Sequence, residues 1–303
     1  MLIEDFLKYL RYELNLSAYT VLCYKNDLGQ FVGFLTAGKE ELDAASVSAA
    51  DVRAWVARLS RDGIAARSIR RKIQALRAFY KYLMRRGVVA ESPAADVELA
   101  KVRRRLPSVV REQNMNSLLD EDIDDSDFDA VRDKLVVMMF YETGIRRAEL
   151  IGLKDVDVSV EARELKVLGK RDKERIVPFG DELAEWIARY RNLRDAVVGE
   201  IEDGSFFVRS DGEPLYPMLV HRLVREKLDA AGGSSRRSPH VLRHTFASAM
   251  LNGGAELSSV KELLGHESLA ATQVYTHITF GDLKSNYEHA HPRALKKGGR
   301  YGS

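Results

Sequence analysis

Four residues between positions 240 and 275 could together carry out phosphoryl transfer: His240, Arg243, His266 and Tyr275. The planar fork of an arginine matches two phosphate oxygens, an imidazole gives or takes a proton near neutral pH, and a tyrosine hydroxyl can act as a nucleophile. Because these abilities occur within one short stretch, we predict that Tyr275 attacks a phosphodiester. DNA is the expected substrate.

Each of these residues also has an ordinary structural explanation. A single histidine is usually a satisfied polar group, and a single tyrosine usually belongs to the core or the surface, so only the combination favours catalysis. His244 and His277 lie beside the predicted site residues, and we interpret both as structural. No cysteine and no paired ligand spacing accompanies the histidines of this stretch, so we predict no metal site.

The residues before His240 are typical of a helix start. Ser238 is a favoured N-cap residue and Pro239 suits the first helical position, so a helix is expected from there to about residue 250. His240 and Arg243 are three residues apart and share one face of this helix. Apolar residues cluster on the opposite face, where a core would lie. We therefore expect the His–Arg pair to point away from the core.

Two further motifs precede this stretch, TGIRRAEL at residues 143–150 and GKRDKERIVP at residues 169–178. Together with HVLRH, LGH, YTH and the late HPRA, they resemble the tyrosine recombinases, and within that family the Xer branch, over nearly the whole chain. Arg147 departs from the pattern, since the family often has an apolar residue there. The resemblance implies six catalytic residues: Arg146, Lys170, His240, Arg243, His266 and Tyr275.

The resemblance also implies how the charge of the reaction is stabilised. Arg146 and Arg243 would neutralise the phosphate oxygens in place of a metal ion, so neither a metal nor another cofactor is expected. A phenol ionises near pH ~10, so Tyr275 must lose its proton as it attacks. His240 is the nearby imidazole that could assist this step.

The leaving 5′-oxygen also needs a proton, and a lysine is expected to donate it. The resemblance assigns Lys170 as the acid that protonates the leaving 5′-oxygen, and assigns His266 to hold a phosphate oxygen. Lys173 lies three residues away and is the alternative acid. A polar turn between two apolar, β-branched stretches predicts a β-hairpin around residue 170, which would carry either lysine.

Apolar periodicity divides the chain into helical segments, predicted over residues 19–35, 50–61, 66–86 and 128–143. We predict a helical domain over residues 1–100, a basic linker over residues 101–112 and a second domain over residues 113–303. The resemblance implies a mainly α fold, with a SAM-like core-binding domain before a mostly helical catalytic domain that contains a small β-hairpin or sheet. It also implies an oligomerisation tail, which docks on neighbouring subunits through residues 286–294.

The net charge of +2 conceals an uneven distribution. Residues 1–106 carry 19 Lys and Arg against 12 Asp and Glu, whereas the remainder carries 28 against 33. A basic amino-terminal part fits a face that contacts DNA phosphates, although a merely solvated helix could carry such charge too. The predicted DNA contacts are Arg70, Arg71, Arg77 and Lys81 in the last helix of the first domain, and Arg103, Arg104 and Arg105 in the linker.

Other features constrain the class of protein. Seven carboxylates within residues 120–129 could form a metal site, but we favour a solvated loop whose last acids stabilise the following helix. The single cysteine, Cys23, excludes an internal disulfide and fits a reducing compartment. The longest apolar run, residues 135–141, is too short to cross a bilayer, and the N-terminus has no export pattern. We expect a cytoplasmic protein without membrane contact.

The resemblance implies site-specific recombination of duplex DNA through a covalent 3′-phosphotyrosyl intermediate and a Holliday junction. The expected assembly is a tetramer on two paired sites, formed by one subunit type or with a second Xer-like subunit, and the expected task is chromosome dimer resolution. Dependence on a DNA translocase stays open. Alternatives are a mobile-element integrase, a type IB topoisomerase and an inactive architectural DNA-binding protein.

Overall fold

Helices make up most of the chain. The computed structural model of the protein describes residues 2–36, 43–99, 108–169, 173–232, 237–265 and 280–294. Contacts between Cα atoms divide the chain into two units, residues 1–105 and 106–303. Both are mainly α-helical, and the second contains a small antiparallel sheet, which confirms the predicted fold class. Within the described ranges, no helix is long and apolar enough to cross a membrane.

The described part of the first unit forms α1 (Leu2–Lys8, continued by a π-helical turn, Tyr9–Glu13), α2 (Ala18–Thr36), α3 (Ala49–Arg61) and α4 (Ala66–Arg85). The bounds predicted for α2, α3 and α4 agree with these to within one residue. The apolar stripe of α4 forms the centre of the unit, since Leu76, Phe79, Tyr80 and Leu83 are at most 1% exposed. Hydrophobic burial on this face leaves the opposite face of α4 to polar residues.

The second unit begins with α5 (Glu112–Leu119), α6 (Phe128–Thr143) and α7 (Arg147–Ile151). Its sheet consists of β1 (Val158–Ser159), β2 (Glu164–Leu168) and β3 (Glu174–Pro178), and the described part ends with α8 (Asp181–Val197), α9 (Pro217–Ala230), α10 (Pro239–Asn252), α11 (Leu257–Leu264) and α12 (Phe280–Ala290). The strands lie in the order β1-β2-β3, all antiparallel. Leu165 of β2 pairs with Val177 of β3, and both side chains are buried, so the predicted hairpin is attached to the core through this face.

The central helix of the second unit is α6, which is buried on almost every side. Asp127 caps its N-terminus by accepting the Ala130 N–H at 3.0 Å, which is the role predicted for the last acids of the acidic run. The helix ends at Gly144, whose φ of 61° is left-handed. Phe246 of α10 occupies the space that a Cβ of Gly144 would need, so glycine lets α10 pack directly against the loop that leads to Arg146.

The end of the described chain packs into the second unit itself. His291 and Arg293 are buried, and Arg293 donates hydrogen bonds to Asp120 at 3.1 Å and to Glu182. The docking of residues 286–294 on neighbouring subunits, which the resemblance implies, stays a prediction. Within its own unit Arg293 is held because carboxylates distant in sequence match its guanidinium.

Candidate active site

Three arginines converge on the C-terminal end of α11. The last carbonyl groups of a helix have no partner within it, and the helix dipole makes this end negative, so cations are stabilised there. Each of three successive carbonyls accepts a hydrogen bond from a different arginine: Leu263 O from Arg175 Nε (2.7 Å), Leu264 O from Arg243 Nη2 (2.5 Å) and Gly265 O from Arg146 Nη2 (2.7 Å). The next residue of the chain is His266.

Arg146 occupies the N-cap position of α7, with 28% of its side chain exposed. Its backbone N–H donates to Glu149 Oε2 at 2.7 Å, and its Nη1 donates to Glu149 Oε1 at 2.6 Å. These bonds, with the one to Gly265, fix the guanidinium while part of it remains open to solvent. A guanidinium held in this way is preorganised to receive an anion.

Arg243 of α10 is only 6% exposed, and its Nη1 donates to Gly144 O at 2.5 Å. The prediction that the His–Arg pair points away from the core is therefore wrong for Arg243. It is right for His240, which is exposed. The reason is that carbonyls at the ends of α6 and α11 offer acceptors below the surface. Burial and the charge of Arg146 lower the pKa of Arg243 to about 10, so it stays protonated at neutral pH.

Glu149 holds two of the three arginines. It is a nearly buried carboxylate, and Arg175 donates to both of its oxygens, Nη1 to Oε1 at 2.9 Å and Nη2 to Oε2 at 2.8 Å. Burial by itself would raise its pKa, but the hydrogen bonds and charge of Arg175 and the bonds from Arg146 lower the pKa to about 2. Glu149 is therefore ionised at neutral pH and offsets part of the positive charge of the site.

His240 lies on the first turn of α10, near the same arginines. Partial desolvation, followed by electrostatic repulsion from His244, Arg147, Arg243 and Arg146, lowers the pKa of His240 from the ordinary value. The neutral imidazole is therefore favoured at pH 7, and a neutral imidazole can accept a proton.

The other three catalytic candidates lie outside the described residues: Lys170, His266 and Tyr275. The residues next to two of them are described. Gly169 precedes Lys170 and donates its N–H to Lys173 O at 2.8 Å across the hairpin. Gly265 precedes His266 and ends α11 with a left-handed φ of 60°.

The described residues thus bring together Arg146, Arg243 and His240. Two fixed guanidinium groups can stabilise the charge that develops on the oxygens of a phosphoryl group, and an adjacent neutral imidazole can take a proton from an attacking hydroxyl. Among the residues that the structure describes, no cluster of three or more His, Cys, Asp or Glu could hold a metal ion.

The predicted DNA contacts of α4 divide into two kinds. Arg70 and Lys81 are exposed. Arg71 is also exposed but donates to the buried Asp27 at 2.5 Å. Arg77 is half-buried, and its Nε donates to Ala94 O at 2.8 Å, so it stabilises the turn that follows the helix. We therefore leave Arg77 out of the proposed DNA contacts, and the linker residues Arg103, Arg104 and Arg105 lie outside the described ranges.

Two family models match the chain. The model of the phage integrase family matches residues 108–281, and that of the phage integrase N-terminal SAM-like domain matches residues 3–87. The chain belongs to the phage integrase family. The resemblance drawn from the sequence motifs is thereby confirmed.

Two relatives match the sequence of this chain over most of their length. Tyrosine recombinase XerC of Chlorobaculum tepidum is 38% identical over 315 residues, covering 96% of this chain and 94% of the relative. Tyrosine recombinase XerD of the same organism is 38% identical over 296 residues, covering 96% of each chain. Among solved structures, XerH recombinase bound to palindromic difH substrate has a TM-score of 0.71 at 19% identity, covering 94% of this chain and 83% of that one.

A second solved structure shares the fold. The Tn1549 transposon integrase in complex with circular intermediate DNA has a TM-score of 0.68 at 20% identity, covering 94% of this chain and 98% of that one. Since transposon integrase and Xer recombinase match almost equally well, the phage integrase fold alone does not distinguish the two biological settings.

Two residues of the phage integrase motifs were missed by sequence reasoning, Glu149 in TGIRRAEL and Arg175 in GKRDKERIVP. A signal for each was present. A glutamate three residues after a helix start fits a capping arrangement, which predicts that Glu149 accepts a hydrogen bond from the backbone N–H of Arg146. Arg175 has the same parity in β3 as the apolar Val177, so alternation places it on the inward face, where an arginine needs an acidic partner.

Proposed function

We propose that the protein is a site-specific tyrosine recombinase that cleaves and rejoins duplex DNA. The observation that carries the proposal is that Arg146 and Arg243 both bind the end of α11, directly before His266, while His240 lies one helical turn before Arg243 on α10. Such an arrangement is a preorganised receptor for the reacting phosphate. The 38% identity to the tyrosine recombinases XerC and XerD supports this proposal.

The reaction exchanges one phosphodiester for another. The Tyr275 oxygen forms a bond to phosphorus while the bond from phosphorus to the 5′-oxygen breaks, and the electron pair of that bond stays on the 5′-oxygen. The products are a 3′-phosphotyrosyl adduct and a free 5′-hydroxyl. Attack by a 5′-hydroxyl of a partner duplex reverses the step and leads through a Holliday junction. The phosphodiester energy is kept in the adduct, so strand exchange needs no ATP.

Two proton transfers accompany this exchange. His240 takes the proton of the attacking Tyr275, because its lowered pKa keeps the imidazole neutral at pH 7. Lys170 gives a proton to the 5′-oxygen, which is a poor leaving group without one. His266 holds a phosphate oxygen. Arg146 and Arg243 supply the positive charge that a metal ion supplies in other phosphoryl-transfer enzymes, so cleavage proceeds in EDTA.

DNA binding draws on the basic amino-terminal unit. Arg70 and Lys81 offer exposed charge on α4, and Arg71 is exposed beside them although it also binds Asp27. The arginines of the linker, Arg103, Arg104 and Arg105, would follow the phosphate backbone between the two units. Contacts of this kind position a protein on DNA without reading its sequence.

The cellular role that fits the relatives is chromosome dimer resolution in the cytoplasm, where chromosomal DNA is found. The equal identity to XerC and XerD of one organism does not favour either name. We propose a tetramer on two paired sites, either of one subunit type or with a second Xer-like subunit, and leave the need for a DNA translocase to experiment. Integration of a mobile element is the alternative, because the Tn1549 transposon integrase shares the fold.

Capture of the covalent adduct tests the proposal. Wild-type protein is incubated with sheared DNA of its host, and the DNA that remains attached under denaturing conditions is sequenced to recover the target site. Tyr275→Phe should bind this site and form no adduct, since it lacks only the nucleophilic oxygen. Tyr216→Phe, a change at a half-exposed tyrosine of the same unit, is the matched control and should form the adduct normally.

Three results would contradict the proposal. An adduct formed by Tyr275→Phe would move the nucleophile to another residue. Loss of cleavage in EDTA, restored by magnesium, would refute the metal-free chemistry. Relaxation of supercoiled plasmids that lack the recovered site would indicate a type IB topoisomerase instead of a recombinase.

A further inference from the structure

The side chain of Arg175 on β3 makes hydrogen bonds to two segments, α7 and the end of α11, and each is next to a proposed catalytic residue. Its Nη1 and Nη2 bind both oxygens of Glu149, which in turn holds Arg146. Its Nε donates to Leu263 O at 2.7 Å, at the end of α11. All three nitrogens of the guanidinium are therefore used inside the protein, and only 12% of the side chain is exposed.

Two glycines show how closely Arg175 approaches the other segments. A Cβ on Gly265, the residue before His266, would lie 3.3 Å from Cδ and from Nη1 of Arg175. A Cβ on Gly169, the residue before Lys170, would lie 3.8 Å from the same Nη1. The guanidinium thus lies between the hairpin end that leads to Lys170 and the helix end that leads to His266.

We propose that Arg175 is a positioning residue, which acts on Arg146 through Glu149 and on the neighbouring catalytic candidates through the glycines that precede them, Gly265 and Gly169. The inference rests on the proposed function, because it concerns the same reaction. Only an arginine has the planar fork that binds a carboxylate through two parallel hydrogen bonds and a third N–H that can reach a carbonyl. A lysine at this position would keep the charge and lose this geometry.

The acid step should depend most on this positioning. Lys170 must come within hydrogen-bond distance of the 5′-oxygen, and misplacement of a catalytic group by ~1 Å can slow a reaction on the order of 100-fold. Arg146 depends on Arg175 only in part, because the two share Glu149 but the bond of Arg146 to Gly265 O is independent of Arg175. Loss of Arg175 therefore predicts a defect in proton donation that exceeds the defect in charge stabilisation.

The test uses two nicked suicide substrates built on the recovered target site, one with the natural 5′-oxygen and one with sulfur in its place. Sulfur leaves without a proton, so a defect in proton donation is relieved on the sulfur substrate and other defects are not. Single-turnover cleavage is measured for wild type, Arg175→Lys and Arg175→Gln. Lys170→Ala and Lys173→Ala define the behaviour that follows loss of the acid.

Arg194 offers a matched control. Arg194 is a buried arginine of the second unit, 6% exposed in its side chain, and like Arg175 it bonds to carboxylates and to a carbonyl: to Asp155 at 2.9 Å, to Asp195 at 2.9 Å and to Phe206 O at 3.1 Å. Arg194→Lys therefore removes a comparable network away from the candidate site. Thermal unfolding of each variant shows whether it is folded at the assay temperature, and two Arg175 variants of different size guard against a folding failure of one.

We expect both Arg175 variants to cleave the oxygen substrate about 100-fold more slowly than wild type and the sulfur substrate less than about 10-fold more slowly. Arg194→Lys should leave the ratio of the oxygen-substrate rate to the sulfur-substrate rate as it is in wild type. An equal loss on both substrates in folded Arg175 variants would make Arg175 merely structural and overturn the inference, as would wild-type rates. These results leave the proposed function intact, whereas that function fails if wild type itself forms no adduct on the oxygen substrate.

Discussion

The pKa of His240 is lowered first by partial desolvation and then by several nearby arginines. Arg146 and Arg243 are expected from the chemistry, but Arg147 also contributes to the lowered pKa. Arg147 is the residue that departs from the usual family pattern, and it donates to Pro217 O at 3.3 Å. A lowered histidine pKa means that the neutral form persists to lower pH, which widens the range in which His240 can accept a proton.

Arg147→Leu should therefore raise the pKa of His240, because removal of a nearby positive charge stabilises the imidazolium. The measurement is a titration of the His240 ring proton by NMR in the absence of DNA. As the pH is lowered, the rate of adduct formation by Arg147→Leu should begin to fall at a higher pH than the wild-type rate does. Arg222→Leu removes an exposed arginine from α9 and serves as the control. An identical titration curve for Arg147→Leu and wild type would remove Arg147 from the electrostatics of the site.

At the scale of single residues, the sequence predicted candidate residues for the site but not how the described ones are held. His240 is exposed as its helical spacing indicates, whereas Arg243 is buried. The cause lies in partners that are distant in sequence, since the acceptors of Arg243 are carbonyls of Gly144 and Leu264. Periodicity describes one helix and contains no information about the ends of two others.

At the scale of elements, α6 contains a buried carboxylate that the proposed reaction does not use. Glu142 is fully buried, and within the described residues neither of its oxygens has a hydrogen-bond partner. Arg293 Nε lies 4.0 Å away, but this guanidinium already bonds to Asp120 and Glu182. Burial outweighs this attraction, so the pKa of Glu142 is raised well above its ordinary value.

This raised pKa makes stability depend on pH with a defined sign. The folded state holds the proton more tightly than the unfolded chain, so the stabilisation from protonated Glu142 is complete below the unfolded pKa, near ~4.3, and is lost as pH rises toward the folded pKa. Glu142→Gln keeps the shape and cannot ionise. We expect it to raise the Tm at pH 8 by about 2–4 °C, the shift for ~1 kcal/mol in a domain of this size, and to have less effect at pH 5.

Calorimetry at both pH values measures the effect. Glu182→Gln removes a charged, hydrogen-bonded partner of Arg293 and should lower the Tm at pH 5 and at pH 8. It therefore shows the effect of losing a paired carboxylate, for comparison with the loss of the Glu142 carboxyl group. A lower Tm of Glu142→Gln at pH 8 would show that Glu142 is ionised and bound to Arg293.

The elements themselves were largely predictable from the sequence. α4 and α6 have the periodicity and end signals of helices, and their predicted bounds differ from the observed ones by at most one residue. The hairpin around residue 170 followed from β-branched strands and a polar turn. Packing of Arg293 into its own unit was not predictable, because its partners Asp120 and Glu182 lie more than a hundred residues before it.

At the scale of the whole molecule, the excess of positive over negative charge lies in the amino-terminal unit, where several of the basic residues bind groups of the unit itself. Arg77 and the buried Lys72 serve the unit itself, since Arg77 binds backbone carbonyls and Lys72 binds Asp27 at 2.9 Å. Arg70 and Lys81 are exposed on α4, eleven residues apart, which is close to three helical turns. A charge count from the sequence therefore overstates the charge that is exposed on this helix.

Neutralising both exposed residues, as Arg70→Gln with Lys81→Gln, should weaken binding about equally to the target site and to unrelated DNA. If each contacts one phosphate, the slope of log K against log salt concentration should become shallower by about 0.9 per lost contact, because fewer counterions are released. Fluorescence anisotropy over a range of salt concentrations measures this slope. Arg53→Gln with Arg61→Gln, the same charge change at exposed positions of α3, is the matched control and should leave the slope unchanged.

Saturating protein should restore cleavage of the suicide substrate by the α4 variant, since the catalytic residues are intact. An unchanged slope and affinity in the α4 variant would mean that this face is solvated surface and that DNA contacts the protein elsewhere.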